Sequence, residues 1–125
     1  MTKPLTKDYR EGIREEIKRD PVFRRGMLGE ALQVLLGGEV AVAREILRDY
    51  INATIKFPKL AAGTKIHVKT LHQMFGPNGN PTANNLFEII SYLQRAAGVR
   101  FEVRPVPLRA RSNKRTAARR AKRAA

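Results

Sequence analysis

The sequence predicts an all-α fold that ends in one short β-strand and a disordered basic tail. Apolar residues recur at intervals of three and four residues over 9–97, which is the period of helices that bury one face. Strict alternation of apolar and polar residues, the period of a strand, occurs only at 99–103. The last part, 109–125, is rich in Lys, Arg and Ala and has no large apolar residue, which is typical of disorder.

Length and composition limit the class of protein. A chain of 125 residues with 42% hydrophobic residues has the size of one domain with a modest core. It has no cysteine, which excludes disulfides, thiolate zinc sites and cysteine nucleophiles, and favours a reducing compartment. Its start has no apolar signal region, and no apolar run approaches the roughly 18 residues of a membrane span. We expect a cytoplasmic protein that does not bind membranes.

The charge is large, and it is distributed unevenly. A net charge of +14 and a pI of about 11.1 favour a polyanionic partner. Residues 109–125 contain eight Lys and Arg and no acid, and residues 50–87 contain four lysines and both histidines without one Asp or Glu. We therefore expect positive potential in two places, the tail and the middle of the chain.

The first 38 residues predict a helical hairpin. Thr6 is a suitable cap for a first helix, which should end before Asp20. Asp20 caps a second helix with Pro21 at its first position, and this helix should run to about Leu36, where a glycine pair stops it. We assign residues 1–38 to this N-terminal unit.

Residues 39–104 predict a second unit that contains short helices. A third helix from Val40 to Ile55 has the strongest helical periodicity in the chain and should be central to the core. After Phe57 the pattern divides into two short helices with a tight turn, the second at 67–75. Its apolar residues Leu71, Met74 and Phe75 should lie opposite the polar residues Lys69, His72 and Gln73.

A last helix should follow the sequence GPNGNP. Pro81 suits the first helical position, with Asn80 or Thr82 as the cap, and the helix should end at Gly98. Beyond it, residues 105–125 form the tail.

The two short helices and their turn predict a helix-turn-helix. A recognition helix has to be short and amphipathic, because one face packs while the other enters a major groove about 12 Å wide. Two ordinary packing helices with solvated polar faces would show the same periodicity. The absence of carboxylates over 50–87 favours DNA, since carboxylates repel phosphates.

The sequence also resembles a known family. LAAGTKIHVKTLHQMF, residues 60–75, followed by GNPTANNLFEIISYLQ, residues 79–94, resembles the lambda-repressor-type helix-turn-helix, and residues 44–104 look closer still to addiction-module antidote (antitoxin) regulators. The resemblance implies a dimer that binds double-stranded DNA, represses its own operon and neutralises a partner toxin. It departs at Lys65, where the lambda-type turn usually has Gly. The implied DNA-binding residues of this domain are Lys59, Lys65, His67, Val68, Lys69, Thr70, His72 and Gln73.

Other chemistry is less well supported. His67 and His72 have no cysteine and no nearby carboxylate to complete a metal site, so DNA contact is the better use for them. We find no Ser/His/Asp order, no P-loop and no dinucleotide fingerprint, and we expect no enzyme activity, no metal and no cofactor.

The predicted strand and the tail have candidate partners. One strand in a helical chain has no partner of its own, so Val99, Phe101 and Val103 should pair with a second copy or with a toxin's sheet edge. The tail is either a phosphate-binding arm or a solubilising extension. Two rival functions remain: a basic architectural DNA- or RNA-associated protein without sequence readout, and a module that only inhibits a toxin. The candidate DNA contacts of the tail are Arg115, Arg119, Arg120, Lys122 and Arg123.

Overall fold

The computed structural model describes residues 7–108, and over this range the chain is all-α, as predicted. The predicted Thr6 cap and the whole basic tail from Arg109 onward lie outside the described residues. None of the helices in this range is long and apolar enough to cross a membrane. The helices are α1 (Lys7–Arg19), α2 (Pro21–Leu36), α3 (Val40–Ala53), α4 (Lys56–Thr64), α5 (Val68–Met74) and α6 (Ala83–Ala97).

The start of α2 confirms the predicted cap. The Asp20 carboxylate accepts the backbone N–H of Val22 at 3.0 Å and of Phe23 at 3.3 Å. Pro21 is the first helical residue, where its missing N–H costs nothing. The helix ends at Gly37, in the predicted glycine pair.

Charged side chains fasten the three N-terminal helices together. Asp49 of α3 is buried, and one of its carboxylate oxygens lies 3.6 Å from Arg10 while the other lies 3.6 Å from Arg14, both on α1. Arg24 of α2 donates to two carbonyl oxygens in the last turn of α1, each at 3.1 Å. The C-terminus of α1 thus has a cation beside its unpaired carbonyls, which stabilises a helix end.

One hydrophobic core joins all six helices. The third helix contributes more buried residues than any other described helix, which confirms that it is central. Residues from α4, α5 and α6 belong to the same cluster, so the short helices are anchored on the N-terminal ones. The cluster consists of Ile17, Leu28, Ala31, Leu47, Tyr50, Ile51, Ala53, Phe57, Leu60, Leu71, Met74, Phe75, Ile89 and Leu93.

Tyr50 is the core residue with a perturbed ionisation. Burial raises the pKa of its phenol above the ordinary value of 10.0, and the cation of Arg24 partly offsets this. Because the folded-state pKa is the higher one, the stabilisation from the neutral phenol is complete below pH 10 and is lost as the pH rises through that pKa.

The predicted β-strand is wrong: residues 99–107 contain no regular element. Two of the backbone donors that a strand would offer are used within the chain: Val99 N–H donates to the Gln94 carbonyl at 3.0 Å and Phe101 N–H to the Gln94 side chain at 2.8 Å. The Phe101 ring packs on Gly29 of α2, where a Cβ atom would lie 3.3 Å from it. Val103, by contrast, is 80% exposed.

Two predicted helix boundaries also need correction. The third helix ends at Ala53 and not at Ile55, because the backbone leaves helical geometry at Thr54. The last helix begins after Pro81, since the Thr82 hydroxyl is the cap and accepts the N–H of Asn85 at 3.2 Å. Its end at Gly98, in left-handed geometry with φ 71°, is as predicted.

Candidate nucleic-acid interface

A three-residue turn, residues 65–67, joins α4 to α5. Lys65 ends α4 in left-handed backbone geometry, with φ 62° and ψ 27°, and its N–H donates to the Ala61 carbonyl at 2.8 Å. This is the geometry in which glycine is normally found. The turn therefore forms here with a lysine in place of the glycine.

His67 begins α5 by capping it. Its Nδ1 atom accepts the backbone N–H of Lys69 at 3.1 Å. A nitrogen that accepts carries no proton, so the neutral ring holds its proton on Nε2. Since the side chain is exposed, His67 offers this N–H as a donor at the N-terminus of the helix, where recognition helices contact base edges.

The two faces of α5 are as different as the sequence predicted. Leu71 and Met74 are buried, together with Phe75 at its end. Val68, a predicted base-facing residue, is half-buried and packs against the core. At seven residues the helix is about 10 Å long. The exposed residues on its outer face are Lys69, Thr70, His72 and Gln73.

Phe57 of α4 supports the middle of α5. Its ring centroid lies 4.7 Å from that of His72 and 5.7 Å from that of Phe75. His72 is therefore exposed but held on one side by an aromatic ring. Sequence reasoning selected His72 and missed Phe57, because the two are on different helices.

The lysines of α4, α5 and the turn between them are not neutralised by neighbouring acids. Lys59, Lys65 and Lys69 are exposed, as is Lys56, which the sequence prediction did not include among the DNA contacts. Within residues 7–108 every ion pair lies on the N-terminal helices or in the segment after α6, and none includes these lysines. The absence of carboxylates over 50–87 thus leaves a surface of uncompensated positive charge.

The loop after α5 is fixed by two arginines of α3. Arg48 donates to the Phe75 carbonyl at 2.9 Å, and Arg44 donates to the Gly79 carbonyl at 3.0 Å. Sequence reasoning missed both, because the bonds span 27 and 35 residues. An open groove of about 690 Å³ separates the loop 76–80 from Lys69, Thr70, His72 and Gln73.

Five of the predicted DNA-binding residues cannot be located on this surface. The five tail residues lie outside the described part of the chain. His67 and His72 join no group of three His, Asp or Glu that could hold a metal ion among residues 7–108.

No family model, no curated protein and no solved structure matches this chain.

We predict opposite effects for two Gly→Ala substitutions. A Cβ atom on Gly79 would lie 2.1 Å from the Met74 carbonyl oxygen, so the loop has to move, and Gly79→Ala should lower the free energy of unfolding by about 2 kcal/mol. Gly26, inside α2, has open space around it, and Gly26→Ala should raise that free energy by about 1 kcal/mol. Urea denaturation measures both, and equal stability of Gly79→Ala and the wild type would contradict the loop geometry.

A second prediction separates the charge of Lys65 from its backbone geometry. Lys65→Gly should raise the free energy of unfolding by about 1 kcal/mol, because glycine adopts φ 62° without strain. Lys65→Ala removes the same charge but keeps the strain and should give no such gain. Urea denaturation measures both variants. Equal stability of Lys65→Gly and Lys65→Ala would contradict backbone strain at this turn.

Proposed function

We propose that this chain is a sequence-specific double-stranded DNA-binding regulator that inserts α5 into the major groove. The observation that carries the proposal is the exposed polar face of α5, which stands beside uncompensated lysines and opposite a buried apolar face. Such a helix is anchored rigidly while its outer side chains stay free to bind. A basic surface without this anchored helix would support charge-driven binding only.

The exposed side chains divide into two chemical groups. Lys56 and Lys59 lie on α4 and Lys65 lies in the turn after it, and all three are suited to phosphates, which they attract without regard to sequence. Lys69 and Gln73 lie one helical turn apart on α5. Lysine donates to the acceptors of guanine, and the glutamine amide pairs in two places with adenine. The second group supports sequence readout and the first supports affinity.

Backbone strain at two lysines adds support. Among the described residues other than glycine, only Lys56 and Lys65 have positive φ, at 68° and 62°. Left-handed geometry costs about 1 kcal/mol for a residue with a side chain, and glycine would avoid the cost. These lysines flank α4 at its first residue and at its C-cap. Backbone strain thus occurs at Lys56 and Lys65, whose side chains are exposed cations, and this is consistent with phosphate binding.

The proposed biological role rests only on the resemblance of the sequence to antitoxin regulators. An antitoxin-like regulator would act as a homodimer in the cytoplasm, at the nucleoid, repress its own operon and neutralise a toxin encoded beside it. Co-expression with a small neighbouring reading frame tests this part: rescue of growth supports an antitoxin, and no rescue limits the protein to DNA binding. The rival function, an architectural protein without readout, is separated by the next experiment.

We predict that the outer face of α5 distinguishes DNA sequences. Lys69→Ala and Gln73→Ala should each weaken binding to the cognate operator by roughly 1 to 3 kcal/mol, and change binding to random duplex less. Lys18→Ala is a matched control, since Lys18 is an exposed lysine on α1. The operator is first selected from a random library. Equal losses on both duplexes would favour the architectural rival.

The eight cations of 109–125 predict a different effect. Removal of this segment should weaken binding to all duplexes about equally. It should also reduce the slope of log affinity against log salt, by at most about seven if every charge meets a phosphate at roughly −0.9 each. Fluorescence anisotropy at several salt concentrations measures this slope. An unchanged slope would mean that the segment serves solubility.

A further inference from the structure

Large apolar side chains are exposed at one corner of the molecule. Leu36, at the end of α2, is 70% exposed, Val40, at the start of α3, is 43% exposed, and Phe87, in the first turns of α6, is 61% exposed. We call these three residues the corner patch. Exposed apolar residues that cluster in this way mark interaction surfaces more often than scattered ones do.

The segments that carry these three residues meet in space, although α4, α5 and a loop lie between Val40 and Phe87 in sequence. Val40 lines one cleft together with Leu35 of α2 and Leu86 of α6. Leu35 and Leu86 are the chain neighbours of Leu36 and Phe87. The start of α6 therefore lies beside the α2–α3 corner, and the corner patch continues into an apolar cleft.

The corner patch is poor in positive charge in a chain that is otherwise rich in it. Residues 26–43 and 76–94, which supply the patch and most of its surroundings, contain no Lys or Arg, although the whole chain has 25. They contain three acids, Glu30, Glu39 and Glu88. Arg44 lines the cleft, but its guanidinium donates to the Gly79 carbonyl. A phosphate backbone would find no free cation here.

We propose that the corner patch is where a second copy of this chain docks, related by a two-fold axis. Two copies that each carry +14 repel one another across their basic surfaces, so association is opposed least where cations are few. The cleft beside the corner patch has Arg44 as its one charged lining residue, and the apolar side chains of the patch provide the attraction. In a two-fold interface the same surface serves both partners, so an apolar patch is complementary to its own copy.

The location of the corner patch also suits a dimer in which each copy presents its α5 helix to DNA. The proposal rests on the proposed function in this respect, because one helix of seven residues contacts few base pairs and a dimer doubles the contact. The corner patch adjoins the loop 76–80, which follows α5 directly and is tied to α3 by Arg44 and Arg48. The loop 76–80, which these arginines hold in place, thus connects the proposed dimer contact to α5.

The chain's own tail is a poor alternative occupant. Residues 109–125 contain no apolar side chain larger than alanine, so they cannot fill an apolar cleft. The segment after α6 is engaged elsewhere through Phe101, which packs on Gly29.

Sedimentation without DNA tests the proposal. The wild type should be a dimer at micromolar concentration, and Phe87→Glu should weaken dimerisation at least about tenfold, as expected for a central aromatic anchor. Leu36→Glu should act in the same way from another helix. Val22→Glu is the matched control, since Val22 is 73% exposed on the first turn of α2 and should leave the dimer intact. Circular dichroism confirms that each variant is folded.

The sedimentation results can be distinguished from the results of the DNA-binding experiments that test the proposed function. A monomeric wild type, or a Phe87→Glu variant that is folded and dimerises like the wild type, overturns the proposal, and a monomeric wild type would leave the patch to a different protein. A dimer that Phe87→Glu dissociates supports it, whether or not the protein binds DNA. If Gln73→Ala loses selective DNA binding and still forms a dimer, the result bears on sequence recognition by α5 and not on the dimer. If both proposals hold, Phe87→Glu should bind a half-site like the wild type and a full palindrome more weakly.

Discussion

The left-handed backbone at Lys65 determines the direction in which α5 leaves α4. It ends α4, and only Ile66 and His67 separate it from α5, so the short connection leaves little freedom in the angle between the two helices. Ile66 packs against the core, and His67 caps α5 through Lys69. The outward face of α5, the groove beside it and the loop beyond it all follow from this turn. Because the turn stores strain, it depends on the core contacts of both helices to persist.

The other end of α5 is held by polar contacts. Arg48 and Arg44 donate to the carbonyls of Phe75 and Gly79, and both arginines belong to α3, the central helix of the core. A charged donor makes a stronger hydrogen bond than a neutral one. Helix α5 is thus fixed at its start by backbone geometry and at its end by the central helix of the core. A ligand that binds its outer face would not have to order the backbone of α5, which would cost conformational entropy.

The sequence predicted local features well and long-range ones poorly. Caps such as Asp20 and the glycine stop at Gly98 depend on neighbouring residues alone, and they were correct. The alternation in VRFEV was misleading, because period two shows only that one side chain in two faces inward. Whether such a segment pairs as a strand depends on its donors, and Gln94 supplies acceptors for two of them. The outer face of α5 was predictable from its period, whereas Phe57 beneath His72 and the α3 arginines were not, since folding alone brings them together.

Charge and strain together limit how this chain can associate. A surface of uncompensated cations repels the same surface on another copy of the chain, and the repulsion is strongest at low salt. Contact between copies is therefore opposed least on a surface of different character, such as the apolar corner beside α6. Positive φ at Lys56 and Lys65 adds a cost in stability, since glycine would adopt the same geometry without strain. With total stabilities of about 5 to 15 kcal/mol typical of such domains, two costs of about 1 kcal/mol each are tolerable but not negligible. The core shared by all six helices, and not the helix-turn-helix alone, has to offset them.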